Sequence, residues 1–216
     1  MTPTHEDPDA SETQAERRAS TKGKVRKQQI IEIATRMLAR NGARGTTLGA
    51  IATAVGVSQA AVVYHFGTKE DLLHAVLDNR DRYEEAQLWS QGSDPGLAIF
   101  EIIAGIVGSW SENPELVGLI VLLLAENVGD EDVLRPRLHR SYRLTVDRVA
   151  ETLRRAQTRG EMRADVDPHR KAIETLAFLS GLEMAWLVSP EIPAAETAAQ
   201  WAADQMRALG TAKATS

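Results

Sequence analysis

Thr47, Ser58, Gln59, Tyr64, His65 and Lys69 crowd hydrogen-bonding side chains into one short stretch of the chain. The amide of Gln59 can donate to N7 and accept from N6–H of adenine, or donate to guanine, and Ser58 offers a hydroxyl beside it. Ala60, or Ala61 after it, fits a thymine methyl. Tyr64 and His65 are suited to phosphate oxygens, with His65 also within reach of a base. Thr47 and Lys69 each open a helix, where unpaired backbone N–H groups and the positive end of the dipole favour a phosphate, and Lys69 adds a full charge. This is chemistry of recognition, in which no bond is made or broken, and its natural counterpart is duplex DNA.

These groups work only if helices hold them, and the stretch from Gly45 to Leu73, GTTLGAIATAVGVSQAAVVYHFGTKEDLL, reads as helix, tight turn, short helix and the start of a longer one. Leu48, Ile51, Ala52 and Val55 form an i, i+3, i+4, i+7 apolar stripe, with Thr47 as its N-cap. Gly56 supplies a left-handed turn residue and Val57 anchors the turn. Ser58 caps the second helix, Val62 and Phe66 face the core, and Thr68 caps the next helix, with acids in its first turn. An ordinary helical hairpin is the alternative to a helix-turn-helix.

At Thr47, Ile51, Ala52, Gly56-Val57-Ser58, Tyr64-His65-Phe66, Lys69 and Leu72-Leu73 the chain resembles the DNA-binding domain of the TetR family of transcriptional regulators. The resemblance implies Thr47 and Lys69 as phosphate clamps on either side of a reading helix that begins at Ser58, Gln59 and Ala60. It departs at Val63, where relatives usually carry Tyr, and at Gly49 and Ala50, where a charged and an acidic residue are common. The first two remove contacts, and the third removes the reciprocal half of a capping box.

The net charge of −5 conceals a segregation. From Arg17 to Arg44 there are nine basic residues and one acid, Glu32, so a basic N-terminal third is joined to an acidic remainder, the pattern of a DNA reader fused to a unit that does not touch DNA. Lys24, Arg26 and Lys27 are expected to form a DNA-binding arm. The chain contains no cysteine, which excludes disulfides and thiolate metal sites. The polar, acidic N-terminus is no secretory signal. The longest apolar run, Leu116 to Ala125, is about half of the ~20 residues that span a bilayer. A soluble cytoplasmic protein is expected, with no membrane partner.

The expected fold is all-α, with no segment alternating at period two. Its divisions are a disordered tail over 1–20, a three-helix DNA-binding domain over 21–68, a helical ligand-binding and dimerisation domain over 69–210, and a disordered end over 211–216. The first helix is expected at roughly 24–40, ended by Asn41-Gly42, and a longer one at 69–89. Asp94-Pro95, Asn113-Pro114 and Asp167-Pro168 each place a capping side chain before a proline at the first helical position. The later helices are then roughly 95–111, 114–128, 131–159, 168–188 and 193–209.

The segment 168–188 is apolar nearly all round, so it needs covering on every side. Ala177, Gly181, Leu182 and Ala185, with Ala198, Trp201 and Ala202 of the final helix, resemble the four-helix interface through which the family dimerises; a monomer whose helices cover one another is the alternative. The resemblance also implies a small-molecule pocket among the middle helices. Phe100, Trp110, Leu123, Tyr142, Phe178 and Trp186 are its candidate lining, with plain core the alternative for each, and Asn127, Glu126 and Tyr142 are candidate polar contacts to a ligand, with the lining of a helix end as the alternative. Met37 and Met184 read as core fillers.

His139 and His169 stand apart from any carboxylate cluster, and the chain has no glycine-rich phosphate loop, nucleophile elbow or zinc motif. No metal, cofactor or catalytic centre is therefore expected. The leading reading is a dimeric regulator, most naturally a repressor, that binds a palindromic operator and is released by an unknown small apolar effector. A helix-turn-helix protein governed by a protein partner or by none is the second reading, and an all-helical enzyme the third.

Overall fold

The computed structural model describes residues 9–89 (9–20 as backbone only), 94–112, 114–126 and 134–211. Among these residues the chain is all-helical: α1 Asp9–Gly45, α2 Leu48–Val55, α3 Gln59–Phe66, α4 Lys69–Trp89, α5 Ile99–Gly108, α6 Pro114–Glu126, α7 Arg135–Thr158, α8 Pro168–Val188 and α9 Ala194–Leu209.

α1 is helical from Asp9, where the first helix was expected from near Lys24 and a disordered tail before it. After Pro8 the sequence runs to Gly23 without a proline and is rich in Ala, Glu, Gln and Arg, all strong helix formers. The part of that expectation covering residues 1–8 lies outside the described residues. At its other end, α1 breaks at Gly42, whose backbone is non-helical (φ 70°, ψ 177°), where Asn41-Gly42 was expected to end it.

The segment expected as one helix over 95–111 is three pieces: a 3-10 turn at Gly96–Ala98, α5, and a second 3-10 turn at Trp110–Glu112. Asp94 Oδ1 accepts from the Gly96 N–H at 3.1 Å, and Gly96 sits at φ +56°, so the proline-led start winds tightly before α5 begins. Asp167 caps α8 as its sequence suggests, accepting from the N–H groups of His169 and Arg170. The expected start of α7 near 131 and the whole of 127–133 lie outside the described residues. So do Asn113 and 212–216, but Thr211, placed in the disordered end, is tied down: it donates from its backbone to Glu161 and from its hydroxyl to the carbonyl of Gly160.

One hydrophobic cluster joins the small unit to the large one. It contains Ile30, Ile31, Ala34 and Leu38 of α1, Ile51 and Ala52 of α2, Val62 and Phe66 of α3, and Leu72, Leu73, Val76 and Leu77 of α4. Leu119 and Leu123 of α6 and Leu134 and Leu138 at the start of α7 complete it. The division at 68–69 therefore falls inside a common core. A second cluster lies between α5, α7, α8 and α9, and a third at the far end of α5, α8 and α9. α4 is also tied to α7 by charge: Arg137 donates to Asp78 (2.7 Å) and Asp81 (2.6 Å), Ser141 donates to Asp81, and Arg148 pairs with Glu85. Burial works against the charge on Arg137, but its bonds to Asp78 and Asp81 outweigh this and raise its pKa above the ordinary value.

Candidate nucleic-acid interface

α2 begins where the Thr47 hydroxyl accepts from the Ala50 N–H at 3.1 Å. It ends in a full Schellman closure: Gly56, at φ 76°, donates to Thr53, and the Val57 N–H reaches back to Ala52 at 2.9 Å. Ser58 then caps α3 by accepting from Ala61 at 3.2 Å. The two helices meet at 109°, within the range of a helix-turn-helix. α3 is held by one side only: Val62 is fully buried and Phe66 nearly so, beside Ile51 and Ala52.

The opposite side of α3 is open. Ser58, Gln59 and Ala60 are exposed at its N-terminus, and Tyr64 is 86% exposed one turn further on. His65 is half-buried, with its ring edge-on to Tyr64 at 5.4 Å. Gln59 leans back over α2, so that a Cβ built on Gly49 would stand 3.2 Å from its Oε1. Gly49 thus does more than omit a contact, because it leaves the space in which the Gln59 side chain lies.

Gly67, at φ 77°, closes α3, and α4 starts in a reciprocal capping box. Asp71 N–H donates to the Thr68 hydroxyl oxygen at 3.0 Å, while Asp71 Oδ2 accepts from the Thr68 N–H at 3.1 Å and from its O–H at 2.6 Å. The hydroxyl bond first, and the backbone bond second, hold the Asp71 carboxyl below its usual range. Lys69 stands in this first turn, half-buried. Thr47 and Lys69 thus stand at the starts of the helices that precede and follow α3 in the chain.

Lys24, Arg26 and Lys27, the expected arm, lie exposed on α1. The Lys27 Nζ lies 5.4 Å from the centre of the Phe66 ring. It lines an open cleft of about 500 Å³ with Ile31, Asp78, Asp81, Arg82 and Arg137. The lysine thus covers the ring on the back of α3, a contact that no pattern within α1 reveals.

With this geometry in place, comparison with known proteins is decisive. Residues 30–76 match the model of bacterial regulatory proteins of the tetR family, and residues 103–211 match that of the BetI-type transcriptional repressor C-terminal domain. The chain belongs to the TetR family. It is a helix-turn-helix transcriptional regulator, not an enzyme, and family membership places it in the cytoplasm. It is 28% identical over 181 residues to the HTH-type transcriptional regulator AcrR of Shigella flexneri, covering 81% of this chain and 84% of AcrR. Over 142 residues it is 29% identical to the HTH-type transcriptional repressor AcnR of Corynebacterium glutamicum, covering 65% of this chain and 70% of AcnR. A TetR regulator from Chloroflexus aurantiacus shares the fold at TM-score 0.78 and 22% identity, over 89% of this chain and all (100%) of that one. The SmeT–triclosan complex does so at TM-score 0.73 and 22% identity, over 88% and 94%.

The expected pocket residues come together only in part. Leu123 is fully buried in the cluster shared with the DNA-binding helices, because α6 packs along α1. Tyr142 is 46% exposed on the outside of α7. Phe100 is fully buried in the second cluster, and Asn127 lies outside the described residues. Trp110, Phe178 and Trp186 do converge, in the third cluster, with the two tryptophan rings 5.8 Å apart. Trp201, expected at the dimer interface, belongs with them: it stacks on Phe178 at 4.3 Å and meets Phe100 edge-on at 5.5 Å.

The expected interface also divides. Leu182, Ala198 and Ala202 are buried in this chain's own clusters, and Ala185 is half-buried, so the first three have no surface left for a partner. Ala177 and Gly181 are exposed. They continue an exposed stripe with Ile173 at 42%, Met184 at 49% and Val188 at 76% exposure, which runs from the second turn of α8 to its end. Met184 is thus no core filler. The i, i+4 spacing of 173, 177, 181 and 184–188 was available as a signal; the all-round apolarity of the helix concealed which face was inward.

Proposed function

We propose that this regulator is a dimeric repressor that binds a palindromic operator and is released from it by a small apolar effector. The DNA-reading part rests on one observation, the half-locked reading helix. Val62 and Phe66 fix α3 in the core, while Ser58, Gln59, Ala60 and Tyr64 stand open between the helix starts of Thr47 and Lys69. In this docking Gln59 reads a base edge, Tyr64 and His65 contact the backbone, and Thr47 and Lys69 clamp phosphates. Lys24 and Arg26 add longer-range attraction from α1.

So few base readers bind weakly alone. Two copies joined through the Ile173–Val188 stripe of α8 present two reading helices to successive major grooves, about 34–36 Å or a multiple apart. The stripe is apolar, and its small members Ala177 and Gly181 allow close approach of a helix. Duplexes selected by the purified protein from a random library should be palindromic. A selected consensus without two-fold symmetry, or a monomer by light scattering at micromolar concentration, would sink the dimeric reading.

The effector reading is supported by the half-buried aromatic group of Trp110, Phe178, Trp186 and Trp201, and by SmeT, a fold neighbour seen with triclosan. Ligand must favour one domain arrangement over the other to change DNA affinity. Titrating the DNA complex with triclosan and other flat apolar compounds should release DNA and quench tryptophan fluorescence at the same concentration. A second reading, control by a protein partner or by none, is favoured by the filled surroundings of Phe100 and Leu123. Retention on DNA across a broad library of such compounds would establish it instead.

A further inference from the structure

Glu126 ends α6, and a carboxylate there faces the negative end of the helix dipole. Its placement is explained by another element. The Ala43 N–H donates to Glu126 Oε2 at 2.6 Å and the Arg44 N–H to Oε1 at 3.4 Å. In return the Arg44 guanidinium donates to the backbone carbonyl of Glu126 at 3.3 Å, capping the end of α6. The two backbone donors are aimed at the carboxylate by the break at Gly42 (φ +70°), and Gly42 itself is buried against it, so that a Cβ there would collide with the carboxylate oxygen. Thr46, 1% exposed, fixes the next step by donating to the carbonyl of Gly42 at 2.8 Å, and Thr47 follows as the cap of α2.

From these contacts we infer that Glu126 is a positioning residue for DNA reading: its carboxylate fastens the end of α6 to the 42–47 segment from which the helix-turn-helix hangs. Glu126 reads no base and holds no phosphate. It sets the angle at which α2 and α3 leave α1, so a displacement of α6 is carried to the reading helix through one carboxylate and two amides. Leu119 and Leu123 make the rest of α6 a firm lever, since both are fully buried in the core that α6 shares with α1. The inference rests on the DNA-reading role of α3, and on the dimeric reading for one arm of its test only.

The test uses the full chain and palindromic DNA selected by that chain. Glu126→Ala and Glu126→Gln should weaken binding about tenfold while leaving the salt slope unchanged, because no phosphate contact is lost. Hydrogen exchange should rise in peptides covering 42–47 and stay at the parent's level in α5, α7 and α9. Loosened heads should also tolerate an extra base pair between half-sites better than the parent does. Gly42→Ala should mimic Glu126→Ala, and the double variant should cost less than the sum of the two, since the collision is absent once the carboxylate is gone. Parental affinity and parental exchange at 42–47 in Glu126→Ala would overturn the inference. So would a rise in exchange throughout the molecule, or additivity with Gly42→Ala. A parent indifferent to half-site spacing would instead count against the dimer, leaving the exchange and double-variant arms to decide on Glu126.

Discussion

Between Thr47 and Lys69 almost every backbone demand is met from a few residues away: Thr47 by Ala50, Gly56 by Thr53, Ser58 by Ala61, Thr68 by Asp71. Around Trp201 nothing is local. Its ring is set by Phe100 on α5 and Phe178 on α8, and Trp110 and Trp186 meet from equally distant parts of the chain. The first region spends its sequence on caps and turns and leaves one face bare; the second spends it on bulk and leaves little that is polar. A reader of fixed geometry needs the former, and a unit that adapts to an apolar ligand suits the latter.

The largest expected effect that would break this contrast concerns two phenylalanines. Phe66→Ala should cost about 3–5 kcal/mol in urea unfolding and abolish DNA binding, because a buried ring locks α3. Phe178→Ala, at a half-buried ring, should cost roughly half as much and leave DNA affinity unaltered. Equal costs would mean that the aromatic group is as firmly packed as the reading head.

Next in size are the contact residues. Gln59→Ala should lose about 1–3 kcal/mol of discrimination at one base pair in each half-site. Lys69→Ala should weaken every sequence alike and lower the salt slope by about one per head. Parental specificity in the first and a parental slope in the second would show that α3 docks by another face.

Smaller again is Thr68→Ala, which should lower the melting temperature by roughly 2–4 °C at neutral pH. Asp71 has a depressed carboxyl pKa in the folded protein, so its capping contribution is full above the unfolded value and is lost as the pH falls through the folded one. The gap between parent and variant should therefore narrow below about pH 4. Part of the gap remains in acid, because the Thr68 hydroxyl also accepts from the Asp71 N–H, and a gap of unchanged size would mean that the Asp71 carboxylate bonds contribute nothing. The smallest effect belongs to Gly49→Ala. The added methyl favours helix by about 0.5–1 kcal/mol but crowds Gln59 Oε1 at 3.2 Å. Stability should rise slightly while the base preference governed by Gln59 shifts, as read from selected sequences.

The same contrast explains what could be read before any coordinates. Caps at Thr47, Ser58, Thr68 and Asp167, the turn at Gly56 and the inward Val62 follow from neighbours within one or two turns, and their short-range chemistry is written in the sequence. Tyr142 and Leu123 look like pocket residues by type alone, but the packing of α6 on α1 buries Leu123, and Tyr142 stands exposed on α7. Lys27 over Phe66 and Glu126 under Ala43 link residues far apart in the chain, and neither leaves a periodic trace. A helical start at Asp9 agrees with the helix-forming residues that follow Pro8, whereas the prolines, the acids and the near absence of apolar residues over 1–20 point to a disordered tail.

The shared cluster of α1–α4, α6 and α7 bears on any attempt to transplant the DNA-reading unit. Cutting the chain after Trp89 would strip Leu119, Leu123, Leu134 and Leu138 from Ile30, Leu38 and Leu72, and uncover apolar surface that α6 and α7 normally cover. A graft onto a foreign regulatory unit must therefore bring that strip of α6 and α7 with it or supply a substitute. What is portable is the reading face of α3; its foundation belongs to the whole molecule.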